Sequence, residues 1–174
     1  LFYSAAIHDR AVIEGAADTP DAISDIMRIT RHTTQRLHEF AFAYTARRKA
    51  RGHAGRLTCV DKANVFRSQA FFRQIFDDVK AGHPDIEAGY SYVDAMALDM
   101  VRRPWDYDVM VMENMFGDIL SDLAGGLVGG VGMAACGEIG DHNGLFQPAH
   151  GSAPDIAGTD AANPLAAILS ASMM

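Results

Sequence analysis

The sequence predicts an α/β fold with a largely parallel sheet, and three observations predict it. Short apolar runs alternate with helical patterns three times in succession: Arg56–Asp61 then 66–80, Ile86–Tyr90 then Asp94–Arg103, Val109–Met112 then 116–124. The third run, Val109-Met110-Val111-Met112, is uniformly apolar, as expected of a strand covered on both faces. The composition, 174 residues with 49% hydrophobic and 21% charged, is globular and large enough for one domain or pieces of two. Right-handed crossovers would join such strands, in an order the sequence leaves open.

The remaining elements follow from local signals. Residues 22–30 mix apolar and polar side chains and predict an edge strand. Thr30 is placed to cap a helix over about 31–50, with Leu37, Phe40, Ala41 and Tyr44 at helical spacing. The helix over 66–80 is closed by Gly82-His83-Pro84, and that over Asp94–Arg103 stops before Pro104. The glycine-rich segment 125–162 predicts a loop, structural or ligand-holding, without the G-x-G-x-x-G spacing of a Rossmann turn. Asn163-Pro164 then opens a last helix, with Asn as cap and Pro at the first turn. The chain starts on Leu-Phe-Tyr-Ser and ends inside a helical pattern, so a fragment of a longer protein is expected.

Charge and cysteine content narrow the function classes. The net charge of -7 argues against general nucleic-acid binding, which needs a basic face. The small basic run Arg47, Arg48, Lys49 and Arg51 reads as capping and solvation at a helix C-terminus. The two cysteines, Cys59 and Cys136, form neither a disulfide framework nor a zinc knuckle, so a reducing, cytoplasmic setting is expected. No apolar stretch of membrane-spanning length is present, and no membrane partner is expected.

The most informative stretch is Asn114-Met115-Phe116-Gly117-Asp118-Ile119-Leu120-Ser121-Asp122. On a helix, Asp118 and Asp122 share one face. Adjacent carboxylates repel, and a hard cation such as Mg²⁺ or Mn²⁺ between them relieves that repulsion. The plainer reading is a solvated acidic face near a helix start. Ile119, Leu120 and Leu123 make the flanking surface apolar, and Gly117 permits close approach.

Lys62 follows the first predicted strand, Asp94 the second, and Asp118 and Asp122 the third. Open α/β sheets bind ligands beyond the carboxyl ends of their strands, so these four residues form a candidate site. Individually, Asp94 reads equally as a helix cap and Lys62 as an ion-pair partner. Farther on, His150-Gly151-Ser152-Ala153-Pro154-Asp155 combines small residues with an acid that can accept from two ribose hydroxyls and would repel a 2′-phosphate.

Four segments, Val60-Asp61-Lys62-Ala63-Asn64-Val65, Tyr92-Val93-Asp94-Ala95-Met96, Asn114 through Leu123, and Phe146 through Ala157 with Ala162-Asn163-Pro164, stand in an order and spacing that resemble the metal-dependent β-decarboxylating dehydrogenases of 3-isopropylmalate, isocitrate and tartrate. The resemblance covers nearly the whole chain. It implies an isopropylmalate dehydrogenase-like fold, a mixed sheet with helices on both faces, in a two-domain parent with a non-Rossmann NAD site. Residues 1–128 would be the substrate-binding and dimerisation domain, and 129–174 a partial return into the NAD-binding domain. By the same resemblance, Asp118 and Asp122 bind a divalent metal, Mg²⁺ or Mn²⁺, with Asp94 and Lys62 supplied by the partner of a homodimer. Asn64 lies near the nicotinamide. His150, Gly151, Ser152, Ala153, Pro154, Asp155 and Ile156 hold the adenosine, with Asn163 in the same cofactor-binding set, and Asp155-Ile156 implies NAD rather than NADP.

The implied reaction is oxidation at C2 of a 2-hydroxy acid, then loss of CO₂ from the resulting 3-carboxy-2-keto acid, with a cation to acidify the hydroxyl and stabilise the enolate. Lys62 would act as base or proton relay, aided by Asp94. The family's catalytic tyrosine aligns on Phe2 without a gap and on Tyr3 with a one-residue shift. The arginines that clamp the substrate carboxylates match none of the arginines in this chain. Val65 matches the apolar contact for an isopropyl group, which places 3-isopropylmalate and leucine biosynthesis first and a tartrate or malate substrate second. Two readings of other classes stand beside it: a catalytically inert dimerisation fragment, and a metal-dependent phosphate-handling enzyme, for which the chain has no phosphate motif.

Overall fold

The computed structural model describes the backbone at residues 2–4, 7–16 and 19–174, and side chains from residue 26 onward. The chain divides into two compact units, Leu1–Ile119 and Leu120–Met174.

The first unit is built on a four-stranded parallel sheet of β1 (Phe2–Ser4), β4 (Arg56–Asp61), β5 (Glu87–Tyr92) and β6 (Val109–Glu113), in the order β1-β6-β4-β5. The helices are α1 (Arg31–Ala50), α2 (Arg67–Lys80) and α3 (Val93–Arg102), followed by the start of α4 (Asn114–Leu127). Moving from β4 to β5 the chain steps outward, and from β5 to β6 it steps back across β4. Right-handed crossovers therefore put α2 and α3 on opposite faces of the sheet. The buried side chains agree with the two-residue period of the strands. Leu57, Cys59, Val109 and Val111 join Ala41 and Phe42 of α1 and Phe72 and Phe76 of α2 in one core. Val60 and Met112 are buried on the other face, where α3, with buried Met96 and Met100, packs on β4 and β5. Burying each large core side chain contributes about 1.5–3 kcal/mol.

The edge strand expected over 22–30 is instead part of a separate antiparallel ribbon, β2 (Ile7–Ala16) with β3 (Thr19–Arg28). The sequence reading placed no strand at residues 7–16. The main sheet is parallel throughout, and antiparallel pairing occurs in this ribbon and in a second one, described below.

Helix α1 differs from its predicted face. Its buried residues are Thr34, His38, Ala41, Phe42 and Thr45, whereas Leu37 and Tyr44 pack only at the core margin. The polar members are accommodated by internal bonds: the Thr45 hydroxyl donates to the Ala41 carbonyl at 2.7 Å. Thr30 occupies the cap position, yet its hydroxyl makes no cap bond. The helix ends in a Schellman motif, with Gly52 N–H on the Lys49 carbonyl, His53 N–H on the Arg48 carbonyl, and Gly52 at φ +87°. The basic run is more than a solvated cap. Arg48 pairs with nearly buried Asp108 at 2.6 Å. Burial alone would raise the Asp108 carboxyl, but its bonds from Arg48 and from Gly55 N–H outweigh this and hold it below its ordinary range.

His38 is buried against the edges of Phe72 and Phe76. Its Nε2 bonds the Phe72 carbonyl at 3.2 Å, so Nε2 carries the proton and buried Nδ1 has no hydrogen-bond partner. Burial pushes the imidazole down from 6.5 to about 4, and the carbonyl bond offsets only part of this. The unfolded chain therefore binds the extra proton first as pH falls. Stability is unaffected above about pH 6.5 and declines between there and about pH 4. We expect this group alone to lower unfolding free energy by about 2 kcal/mol from pH 7 to pH 5. Denaturant titrations of the parent protein and of His38→Leu at both pH values check this: the Leu variant loses that part of the pH dependence, and an unchanged dependence would contradict it.

The second unit holds the rest of α4, the ribbon of β7 (Ala135–Ile139) with β8 (Gly144–Pro148), and α5 (Leu165–Ser172), which packs on both strands. This ribbon lies inside the segment read from sequence as loop. Its high glycine content hid the strand pattern. Pro164 rather than Asn163 occupies the cap position of α5, and Asn163 Oδ1 accepts from Leu165 N–H at 3.0 Å just ahead of the helix. No described helix is long and apolar enough to cross a membrane.

Candidate active site

The carboxyl ends of β4, β5 and β6 lie along one edge of the sheet, because the three strands run parallel. The connections leaving β4 and β5 cover opposite faces, so the gap beyond these two strand ends is a topological switch point, where α/β sheets bind ligands. Lys62 and Asp94 meet there. Lys62 Nζ donates to Asp94 Oδ1 at 2.5 Å, with the lysine largely covered and Asp94 68% exposed. The Lys62 ammonium holds the Asp94 carboxyl below its usual range.

The turn that carries Lys62 is built around Asp61, the last residue of β4. Asp61 is fully buried. A buried carboxylate must be paired and hydrogen-bonded. Arg73 of α2 meets both of its oxygens, Nε to Oδ2 at 2.7 Å and Nη2 to Oδ1 at 2.8 Å, and Ala63 N–H adds a bond to Oδ1 at 2.9 Å. Val65 and Phe66 N–H both bond the Lys62 carbonyl at 3.0 Å. Asn64 and Val65 are left exposed on the outside of this turn, Val65 at 59%.

Beyond β6, α4 begins at Asn114, earlier than the predicted start at 116 and running past 124. Asn114 Nδ2 donates to Asp118 Oδ2 at 3.1 Å and orients that carboxylate. Asp118 and Asp122 are both exposed and stand one helical turn apart. Leu120, read from sequence as part of an apolar surface, is buried in the fold, whereas Ile119 is 60% exposed. The donor set fits a hard divalent cation, since it offers only oxygen. Among the described residues, no three His, Cys, Asp or Glu side chains gather into a metal cluster. The structure thus joins Lys62 to Asp94 and Asn114 to Asp118.

The segment His150–Ile156 is exposed throughout. Ala153 adopts φ +43°, and a single 3₁₀ turn over Pro154–Ile156 presents Asp155. His150 Nδ1 bonds the Gly151 carbonyl at 2.8 Å, and the Thr159 hydroxyl donates to the Ile156 carbonyl at 2.7 Å. A Cβ at Gly151 would meet nothing within 4 Å, so the backbone is open to a ligand, as a nucleotide loop requires. Asn163 is engaged through Oδ1 by Leu165 N–H and in a contact from Nδ2 to Met133 Sδ at 3.4 Å. Tyr3 lies in β1 opposite Met112, and its side chain is outside the described residues.

Sequence reasoning missed Asp61, Arg73 and Asn114 as supports. The available signal was Asp61 at the end of a buried strand, which demands a cation. Nothing in the spacing identified Arg73 as that cation.

Residues 5–174 match the family model described as isocitrate/isopropylmalate dehydrogenase. The chain is 48% identical over 147 residues to a 3-isopropylmalate/3-methylmalate dehydrogenase of Methanocaldococcus jannaschii, covering 84% of this chain and 44% of that protein. It is 45% identical over 147 residues to a homoisocitrate dehydrogenase of the same organism, covering 84% and 41%. Among solved structures, the isocitrate dehydrogenase of Methylococcus capsulatus superposes with a TM-score of 0.85 at 39% identity, over 95% of this chain and 48% of that one. The chain spans less than half the length of each of these proteins. The chain belongs to the isocitrate/isopropylmalate dehydrogenase family.

Proposed function

We propose that the protein carrying this chain oxidises and decarboxylates 3-isopropylmalate in the cytoplasm, using NAD and Mg²⁺ or Mn²⁺, as a homodimer with shared active sites. The observation that carries the reading is the Lys62–Asp94 pair at 2.5 Å, set at the switch point of a family fold. Residues 1–128 form the substrate and dimerisation domain in this reading, and 129–174 belong to the NAD-binding domain.

Asp118 and Asp122 of one protomer and Asp94 of the other would hold the cation, and the loop His150–Ile156 would hold the adenosine with Asp155 at the ribose. Bound there, the cation would supply a Lewis acid for the substrate hydroxyl and NAD a hydride acceptor. In its neutral form the Lys62 amine would take the hydroxyl proton and become the ammonium that Asp94 pairs with. Asn64 faces the nicotinamide side. Val65 offers an apolar contact to the isopropyl group, worth about 1–3 kcal/mol of discrimination. Tyr3 is our candidate to return a proton to the enolate carbon after CO₂ leaves.

Dimerisation is favoured by apolar side chains that α3 and α4 leave uncovered. Leu98, Val101 and Trp105 are 55%, 59% and 78% exposed at the α3 end, and Met115 and Ile119 are 42% and 60% exposed on α4, flanking Asp118. Covering these side chains with a second copy of the chain would remove apolar surface from water, which supports the dimeric reading.

Full-length protein incubated with Mn²⁺, 3-isopropylmalate and either dinucleotide tests the reading. Formation of NADH, abolished by chelation and much slower with NADP⁺, is the expected result. Turnover of D-malate or tartrate alone would shift the substrate to the second assignment, and no dinucleotide reduction with any of these acids would end the proposal.

A further inference from the structure

We propose that Arg73 is a positioning residue for Lys62, acting through two separate contacts; the inference rests on the assignment of Lys62 as the proton-transfer group. The first contact is the fork on Asp61. Arg73 meets both carboxylate oxygens, at 2.7 and 2.8 Å. Asp61 in turn binds Ala63 N–H at 2.9 Å, and the Lys62 carbonyl closes the turn on Val65 and Phe66. The residue between Asp61 and Ala63 is Lys62, so the fork fixes both ends of the backbone from which the lysine projects.

The second contact is aromatic. The Arg73 guanidinium lies 5.3 Å from the ring centre of Tyr92, and the Lys62 ammonium lies 5.8 Å from the same ring. Both cations are within range of attraction to that ring. The Tyr90 ring centre lies 4.7 Å from the same guanidinium, and its hydroxyl bonds Asp77, which pushes the phenol up to about 12. Arg73 is therefore seated between a fully buried carboxylate and two rings of the edge strand β5. Strand β5 leads into α3, and Asp94 lies in the first turn of that helix. One guanidinium thus ties the Lys62 turn to the strand that delivers Asp94. Only a planar, forked donor can hold both oxygens and lie over rings at once.

The test uses the full-length protein with Mn²⁺, NAD⁺ and 3-isopropylmalate, together with amide deuterium exchange. Arg73→Met is expected to lower kcat about 30-fold while changing KM for the hydroxy acid less than about threefold, the pattern of lost orientation rather than lost binding. Exchange at Ala63, Val65 and Phe66 is expected to rise at least about tenfold, with core amides of β4 unchanged. Arg73→Lys keeps a charge against Asp61 and avoids an unpaired buried carboxylate, but it meets only one oxygen. It should fall between wild type and Met in both measurements, and it carries the test alone if Arg73→Met does not fold. Wild-type kcat, or wild-type exchange at these three amides, in either folded variant overturns the inference. If the wild-type protein forms no NADH, the functional reading fails separately, and the exchange data alone decide whether Arg73 orders the Lys62 turn.

Discussion

Asp118→Asn lowers metal-dependent turnover of the full-length protein at least about a hundredfold and weakens Mn²⁺ binding about 10–100-fold, with little effect on folding. The substitution preserves size and one oxygen but removes a negative charge. A neutral amide oxygen is a poorer ligand for a hard dication than a carboxylate. Asn114 now orients the carboxylate through its 3.1 Å bond, and the amide can still accept from it, so α4 keeps its local geometry. Because Asp118 is exposed, stability should stay within about 0.5 kcal/mol of wild type. The measurement is turnover against Mn²⁺ concentration, with metal affinity from calorimetry. Partial recovery at high Mn²⁺ fits a damaged metal site. Unchanged affinity and rate would remove Asp118 from it.

Lys62→Met is expected to cost more in rate, about a thousandfold in kcat, because on the proposed reading it removes the group that takes the hydroxyl proton. Methionine retains the length and apolar stem of the side chain. The Asp94 partner is 68% exposed, so losing the ammonium leaves no buried charge. The fold should survive, and Mn²⁺ affinity should be retained or improved, since Asp94 is released from its ion pair. Loss of rate with intact metal binding separates this variant from Asp118→Asn. A rate within about threefold of wild type would exclude Lys62 as the proton-transfer group.

Much of the fold was legible because its central elements obey simple periods. Strand β4 falls where the apolar run Leu57–Val60 placed it, and β6 and α2 begin and end within a few residues of their signals. What escaped was structure that composition disguises. The α1 face includes Thr34, His38 and Thr45 beside Ala41 and Phe42; the Thr45 hydroxyl is met by a helix carbonyl and His38 is buried in its neutral form. The β7–β8 ribbon is punctuated by Gly137 and Gly144, which read as loop. Among the described residues strand β2 pairs with β3, and the sequence over 7–16 carries no regular apolar/polar alternation to mark a strand.

The site was legible in part for the same reason. Lys62, Asp94 and Asp118 each sit at a strand exit, which sequence order alone reveals. The Arg73 fork depends on where α2 crosses β4, which no local signal contains. Convergence of the three aspartates across two subunits, as proposed above, has no signature in the order of residues along one chain.

Subunit complementation tests that placement most directly. Lys62→Met and Asp118→Asn proteins are unfolded together, refolded, and the mixed dimers confirmed by native mass spectrometry. If Lys62 and Asp94 serve the metal pair of the partner subunit, each heterodimer holds one doubly damaged site and one intact site, and it recovers about half of wild-type turnover. If heterodimers form and turnover stays at the level of the two inactive parents, both residues act within their own chain, and the shared site is wrong.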